Sequence, residues 1–112
     1  MLNQIILVGR LTRNIKVNKT DNGNKIATLT LAIPRSFKNS EGVYDTDFIN
    51  CILFDNIAEN TKEYCSKGDI IGVKGRVQSR VLEKEDGKKE YLIDIVAEKI
   101  TFLSSKKEEK AE

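Results

Sequence analysis

The sequence predicts an all-β fold in which five strands form a small barrel and one short helix lies between the third and fourth strands. Three observations predict this class. Apolar and polar residues alternate with a period of two along most segments, as they do in half-buried strands. Turn-forming residues, Asp21–Asn24 and Glu85–Gly87, separate two pairs of these segments. Helical spacing is confined to Ile57–Ser66. At 112 residues, the chain is long enough for one domain with a single core.

The first two predicted strands lie on either side of the Asn-Gly turn. An apolar run at Gln4–Leu11 forms the first strand, and residues 15–19 continue it in extended form. The second strand, Lys25–Ile33, alternates cleanly between apolar and polar residues. Pro34 is expected to end it, because proline cannot donate a hydrogen bond to a neighbouring strand.

The third predicted strand, Thr46–Phe54, follows a polar loop at Arg35–Asp45. Side chains alternate between the two faces of a strand. One face of this strand is therefore expected to carry Ile49, Cys51 and Leu53, which form a wholly apolar set suited to a core. The other face carries Phe48, Asn50, Ile52 and Phe54. Two aromatic rings with an amide between them are better suited to a contact surface.

The second half of the chain contains the helix and two more strands. Asp55 or Asn56 is expected to cap the helix, and Lys67-Gly68 to follow its end. The fourth strand is Ile70–Val81, and the fifth is Lys89–Ala97 with an extension over residues 99–103. Residues 105–112 are predicted to be a short, charged, disordered tail after a domain spanning residues 1–104.

The order of three strands, one helix and two strands is that of an OB-fold. This is a five-stranded Greek-key barrel that commonly binds oligonucleotides or oligosaccharides. Other small barrels share much of the pattern, so the order alone leaves them open.

Composition excludes several classes of protein. Hydrophobic residues make up 39% and charged residues 32%, which is typical of a soluble globular protein. The sequence contains no run of about 18 apolar residues, as a membrane span requires. Met1–Gln4 lacks the basic region and small-residue cleavage site of a signal peptide, so none is expected. Cys51 and Cys65 are interpreted as reduced core thiols. A cytoplasmic, nucleoid-associated protein is expected.

The sequence offers little for catalysis. Histidine is absent, the two cysteines lack metal-ligand spacing, and the glycines form no phosphate-binding loop. A nuclease would need converging carboxylates, and no pattern indicates them. We therefore expect no catalytic residues, no metal and no cofactor.

Basic residues and aromatic rings together favour a binding surface for single-stranded nucleic acid. The first 39 residues hold seven of the 19 Lys/Arg residues and one of the 17 Asp/Glu residues, so they carry +6 and the remainder carries −4. The fourth strand places Lys74, Arg76 and Arg80 on one outward face, and the loop before the third strand offers Arg35, Phe37 and Lys38. Cations can follow phosphates while rings stack on bases of any sequence. Core packing is the alternative for each ring, and ordinary solvation is the alternative for the cations.

Several stretches resemble the bacterial single-stranded DNA-binding protein family. They cover about residues 1–104 in order and are Met1–Gln4 running into Ile6–Leu11, Ala27–Ala32, Asp47–Cys51, Ala58–Asn60, Lys67-Gly68 and Gly75–Arg80. The resemblance implies an OB-fold, binding of single-stranded DNA without sequence specificity, and a homotetramer. It implies interfaces at Gln4–Leu11 and near Ile49.

The resemblance also implies roles for individual residues. Phe37, Phe48 and Phe54 fall where the family places base-stacking aromatics, often Trp at the first two positions, although this chain has no Trp. Leu82 falls where a fourth ring is common, so that contact is expected to be weaker. The candidates for phosphate or groove contacts are Arg10, Arg35, Lys38, Lys74, Arg76, Arg80 and Leu82. Only Arg80 matches a basic position of the family, and the other cations are chosen from their strand face and charge.

The C-terminus departs from the family pattern. Relatives of full length carry a Gly/Gln/Pro-rich linker and an acidic tip that recruits repair and replication enzymes, whereas this sequence ends at Lys110-Ala111-Glu112. A short paralogue, a mobile-element form or a truncated form is expected, and recruitment through the tip is not carried over. Two rival functions stay open: a primosome-type OB protein acting mainly in protein–protein assembly, and an RNA-binding OB module.

Overall fold

A computed structural model describes residues 1–104 as six strands and one helix. In chain order the elements are β1 (Ile5–Leu11), β2 (Val17–Lys19), β3 (Lys25–Lys38), β4 (Tyr44–Phe54), α1 (Asp55–Tyr64), β5 (Ile70–Glu83) and β6 (Lys89–Ser104). The tail predicted at residues 105–112 lies outside the described part of the chain.

Five of the strands close into a barrel. Going around it, β1 pairs with β5, β5 with β6, β6 with β4, β4 with β3, and β3 again with β1. All of these pairs are antiparallel except β4 with β6, which is parallel and aligns Cys51 with Ile95. The short β2 adds to the outer end of β3. The predicted five-stranded OB-fold barrel with one helix between its third and fourth strands is confirmed, and residues 17–19 form a separate strand rather than a continuation of the first.

The core lies inside this barrel. The inward residues of β3 and β4 are Ala27, Leu29, Leu31, Cys51 and Leu53, and all are buried. Ile71 and Val73 of β5 meet them from the opposite wall. The burial of Cys51 and Leu53 confirms the alternation predicted for β4. Removing this apolar row from water is the main driving force for closing the barrel.

Helix α1 begins earlier than predicted and lacks the predicted caps. Phe54, which is extended, occupies the N-cap position and makes no capping hydrogen bond through its side chain. The Asp55 carboxylate instead accepts a hydrogen bond of 3.1 Å from the backbone N–H of Lys25, and Asn56 lies within the helix. Both predicted caps are therefore wrong, since the acidic side chain joins the helix start to β3. Gly68 follows the helix with a φ of +96°, which favours glycine, and donates its N–H to the Leu11 carbonyl.

Strand β3 continues through Pro34, contrary to the prediction. Thr30 accepts a hydrogen bond through its carbonyl from the N–H of Thr12, on the side of β1. Backbone groups alternate between the two neighbours of an antiparallel strand, so the Pro34 nitrogen points to that same side. The β1–β3 pairing contains only the Arg10–Ala32 and Leu11–Leu31 pairs, so Pro34 lies beyond its end and needs no N–H there.

The hairpin of β5 and β6 extends beyond the barrel. Pairing of β5 with β1 reaches Gly75, and pairing of β6 with β4 involves only Ile95 and Val96. Farther out the two strands pair only with each other as far as Glu83 and Lys89. The apolar sides predicted for these strands are therefore buried near the barrel and exposed along the projecting hairpin.

Candidate nucleic-acid interface

Strand β4 turns its two phenylalanine rings outward. Phe48 is 65% exposed and Phe54 is 43% exposed, whereas Cys51 and Leu53 between them are fully buried. Core packing, the alternative for these rings, is therefore wrong. We call the outward side chains Phe48, Asn50, Ile52 and Phe54 the aromatic face. A row of this kind leaves flat apolar surface in contact with water.

Phe37 lies near the end of β3, the strand that pairs with β4. It is 63% exposed and follows an irregularity between Pro34 and Lys38, where β3 contains more residues than the facing part of β4. Within the aromatic face, the Thr30 hydroxyl of β3 donates a 2.6 Å hydrogen bond to Oδ1 of Asn50. This bond fixes the amide between the two rings of β4.

The strand register brings predicted cations to both sides of the aromatic face. Arg10 of β1 aligns with Ala32 of β3, which aligns with Phe48. Two strand spacings place Arg10 about 10 Å from Phe48 along this row. On the other side, Arg76 of β5 aligns with Val96 of β6, which aligns with Ile52. Arg80 and Leu82 point to the same face of β5 as Arg76 and lie farther along the projecting hairpin.

Lys74 is the exception among these cations. It aligns with Ile6 of β1 and Lys99 of β6, and Lys99 lies outside the two-residue pairing of β6 with β4. Among residues 1–104 it makes no ion pair, so its charge is available, but the strand register does not align it with a residue of the aromatic face.

Three of the candidate arginines already pair with carboxylates. Arg35 donates Nε and Nη2 to Asp47 at 2.9–3.2 Å, and Asp45 lies 3.8 Å away. Arg76 lies 3.8 Å from Glu98, and Arg80 donates Nε to Asp94 at 2.8 Å. Arg10 donates Nη1 to the Gly68 carbonyl at 2.6 Å. These arginines are therefore not simply solvated. Each of them must exchange or share its present partner in order to contact a phosphate.

The Arg35–Asp47 pair has a clear electrostatic signature. The hydrogen bond between the two side chains lowers the pKa of Asp47 and raises the pKa of Arg35. Coulombic attraction acts in the same direction, and the pair is solvent-exposed. Both groups are therefore charged throughout the neutral range.

Two sets of residues near the aromatic face were missed from the sequence. Tyr44 belongs to β4, but the predicted strand began two residues later and left it in a loop. Applying the alternation two residues farther back would have found it. A shallow depression of ≈ 360 Å³ is lined by Arg13, Asn14, Lys16, Asn18 and Thr28. Thr28 aligns with Ile52, so these cations border the aromatic face. The cluster of positive charge in the first 39 residues was the available signal.

The cysteines are free thiols in the core. Burial raises the pKa of Cys51 to about 11. The pKa of Cys65 is also raised to about 11, mainly by burial and to a smaller extent by the negative charge of Asp69. A thiol that resists ionisation is a poor nucleophile and metal ligand. Among the described residues, no group of three His, Cys, Asp or Glu side chains could hold a metal ion.

Helix α1, the one helix described within residues 1–104, is not long and apolar enough to cross a membrane.

The fold and its exposed features define a class: an OB-fold protein with an outward aromatic face bordered by cations. The family model for the "Single-strand binding protein family" matches residues 2–103, and the chain belongs to that family. The resemblance stated from the sequence is thereby confirmed. The description of the family names binding to single strands and no reaction, in agreement with the prediction that the protein is not an enzyme.

Curated relatives have the same family character. The chain is 44% identical over 111 residues to "Single-stranded DNA-binding protein B" of Bacillus subtilis (strain 168), covering 99% of this chain and 98% of that protein. It is 44% identical over 106 residues to "Single-stranded DNA-binding protein 2" of Staphylococcus aureus (strain Mu50), covering 95% of this chain and 75% of the relative. It is 46% identical over 106 residues to "Single-stranded DNA-binding protein 3" of Listeria innocua serovar 6a, covering 95% and 66% respectively.

Proposed function

We propose that this protein binds single-stranded DNA without sequence specificity, stacking bases on Phe37, Phe48 and Phe54. One observation carries the proposal: Phe48 and Phe54 are exposed on one outward face of β4, and Phe37 is exposed near the end of the neighbouring β3, in a member of this family. Every base has a flat face, so stacking tolerates any sequence. The names of the relatives support DNA as the nucleic acid.

Cations around the aromatic face contact the phosphates. Arg10 approaches from β1, Arg35 and Lys38 from the end of β3, and Arg76 and Arg80 from β5. Arg35 and Arg76 pair with exposed carboxylates, and exposed ion pairs contribute only about 0–1 kcal/mol, so both arginines can exchange these partners for phosphates at small cost. Asp94 is only 13% exposed, so Arg80 keeps this partner and shares its guanidinium with a phosphate. Lys74 contributes long-range attraction rather than a contact beside the rings. Leu82 provides apolar contact, without a π-surface, on the projecting hairpin.

The binding protects single strands that are exposed during replication, recombination, repair or DNA uptake in the bacterial cytoplasm. Residues 1–104 form the DNA-binding domain, and the protein acts as a homotetramer without a cofactor. Ile6 and Val8 on the outward side of β1 are exposed, which supports β1 as one subunit interface. Ile49, partly buried against the core, is the second candidate.

Fluorescence anisotropy with labelled oligo-dT, a duplex and an RNA of matched length tests the proposal. We expect salt-sensitive binding to oligo-dT and much weaker binding to the duplex, because duplex bases are stacked on each other and cannot reach the rings. Equal affinity for duplex and single strand would contradict the proposal. Tighter binding to RNA than to DNA of the same sequence would favour the RNA-binding alternative.

A further inference from the structure

Tyr44 is an additional exposed ring at the start of β4. It is 54% exposed, and it lies four residues before Phe48 on β4. Side chains separated by an even number of residues point to the same face of a strand. The irregularity at this end of the β3–β4 ladder places its extra residues on β3, so β4 keeps its alternation. At about 3.3 Å per residue, Tyr44 precedes Phe48 by about 13 Å on the same outward side.

A lysine ammonium lies over the Tyr44 ring. Nζ of Lys38 is 5.7 Å from the ring centroid, within the range of a cation–π contact. In the described part of the chain Lys38 forms no ion pair with a carboxylate. A flat ring therefore lies beside a positive charge that is not neutralised, and these two groups match the base and the phosphate of one nucleotide.

The hairpin turn holds the residues on both sides of Tyr44, Val43 through its backbone and Asp45 through its side chain. The Asn39 side chain accepts hydrogen bonds through Oδ1 from the N–H groups of Glu41 and Val43, at 2.8 and 3.0 Å. Its Nδ2 donates to Oδ1 of Asp45 at 3.1 Å. The residues immediately before and after Tyr44 are thus both held by Asn39. A ring on an ordered support loses less conformational entropy when a ligand covers it.

We infer that Tyr44 is a fourth base-stacking ring and that Lys38 contacts a phosphate of the same nucleotide. The inference rests on the proposed function and extends the aromatic face toward the β3–β4 hairpin. It adds a stacking surface at one end of the row, while Leu82 offers no ring on the projecting hairpin. A purely structural Tyr44 would hold Lys38 in place without touching DNA.

Substitution at Tyr44 separates these roles. We expect Tyr44→Ala to weaken oligo-dT binding by at least about fivefold, a magnitude taken from single-strand-binding OB-folds as a class rather than derived for this chain. Tyr44→Phe keeps the flat ring and should retain the affinity. Tyr91→Ala is the matched control, because Tyr91 is an exposed strand tyrosine at an odd position, opposite to the side that carries Arg80. Its affinity should not change.

Salt dependence distinguishes the ring from the charge. Lys38→Ala should reduce the slope of log K against log salt by about 0.7, the amount expected for one phosphate contact on a single strand. Tyr44→Ala should weaken binding without changing that slope. A reduced slope for both variants would overturn the stacking role and leave Tyr44 only as a support for Lys38.

Tyrosine fluorescence gives a direct readout, because the chain has three tyrosines and no tryptophan. In the full chain carrying Tyr64→Phe and Tyr91→Phe, Tyr44 is the only tyrosine. We expect oligo-dT to quench its emission in parallel with the rise in anisotropy of labelled DNA. Unchanged emission during measured binding would overturn the inference alone. If the unmodified chain fails to bind oligo-dT, the proposed function and the inference both fail.

Discussion

Individual phenylalanines carry the central argument at the residue scale. A phenylalanine side chain gains free energy when it leaves water, so an exposed ring is informative where several share one surface. Alternation along β4 was sufficient to predict that Phe48 points outward and Cys51 inward. It could not predict that Arg35 pairs with Asp47, because that contact joins two strands whose register depends on the extension of β3.

Replacing the most exposed of these rings should affect binding rather than folding. We expect Phe48→Ala to weaken oligo-dT binding by about 1–3 kcal/mol, a range borrowed from single-strand-binding OB-folds. Anisotropy titration gives the affinity, and circular dichroism checks the fold. Phe102→Ala is the control, since Phe102 packs against Tyr64 with ring centroids 5.8 Å apart, beside the helix end. Loss of the fold in Phe48→Ala, or equal effects of both variants, would contradict the stacking role.

Releasing Arg35 from its carboxylate should strengthen binding. The lowered pKa of Asp47 means that this group loses its charge only well below neutral pH, so substitution is a better probe than acidification. Its contribution to stability is present above the unfolded-state pKa and is lost as the pH falls through the lower folded-state value.

We expect Asp47→Asn to bind oligo-dT more tightly and to steepen the salt slope by about 0.7, as one more phosphate contact would. Glu63→Gln removes one negative charge from the exposed surface of α1 and should change the slope much less. Weaker binding by Asp47→Asn would show that Arg35 must be held in place to function.

At the scale of the element, β5 contains two glycines with different surroundings. A Cβ at Gly75 would collide with the Val96 carbonyl oxygen, next to the irregularity between Lys74 and Gly75. A Cβ at Gly72 would meet Thr101 Cβ at 3.7 Å, an ordinary contact. The backbones of β5 and β6 therefore approach each other too closely at Gly75 to admit a side chain.

We expect Gly75→Ala to lower the free energy of unfolding by about 1–3 kcal/mol, as overpacking does, and Gly72→Ala to have little effect. Urea unfolding of the two variants measures the difference. Similar stability of both variants would contradict the close approach at the irregularity.

Element boundaries were the least predictable feature from the sequence. Pro34 is a reasonable strand end by local rules, and only the short β1–β3 pairing explains why the strand can pass through it. A second misplaced boundary, the predicted start of the third strand at Thr46, hid Tyr44. Likewise, Asp55 has the right chemistry for a cap, but its carboxylate binds the Lys25 N–H, which is distant in sequence.

Across the whole molecule, the barrel brings separate stretches of positive charge to one surface. The sequence predicted an uneven distribution of charge, but not that Arg10 and Arg76 lie on opposite sides of β4. That arrangement depends on the β1–β3 pairing and on the parallel β4–β6 pairing, and such long-range pairs leave no local pattern. The fold class was predictable because its strands alternate and its two turns have clear signals.

Buried thiols should make the stability of the molecule sensitive to alkaline pH. Burial raises the pKa of Cys51 from its ordinary value of 9.0 to about 11. Because the folded-state pKa is the higher one, this contribution is fully present below the unfolded-state value and is lost as pH rises through about 11.

We expect the unmodified chain to lose free energy of unfolding more steeply between these pH values than a Cys51→Ala/Cys65→Ala variant. That variant should be less stable at neutral pH because it lacks two buried side chains. Chemical unfolding at a series of pH values provides the curves. Parallel curves for the two proteins would contradict the burial argument.

The central claim is that bases, and not only phosphates, bind this surface. The most direct measurement compares the affinity of the protein for oligo-dT with its affinity for an abasic deoxyribose-phosphate oligomer of the same length and charge. Stacking on Phe37, Phe48 and Phe54 predicts that oligo-dT binds more tightly by about 3 kcal/mol or more, a value taken from single-strand-binding OB-folds as a class. Equal affinity for the two oligomers would contradict the account, because phosphate contacts alone would then explain the binding.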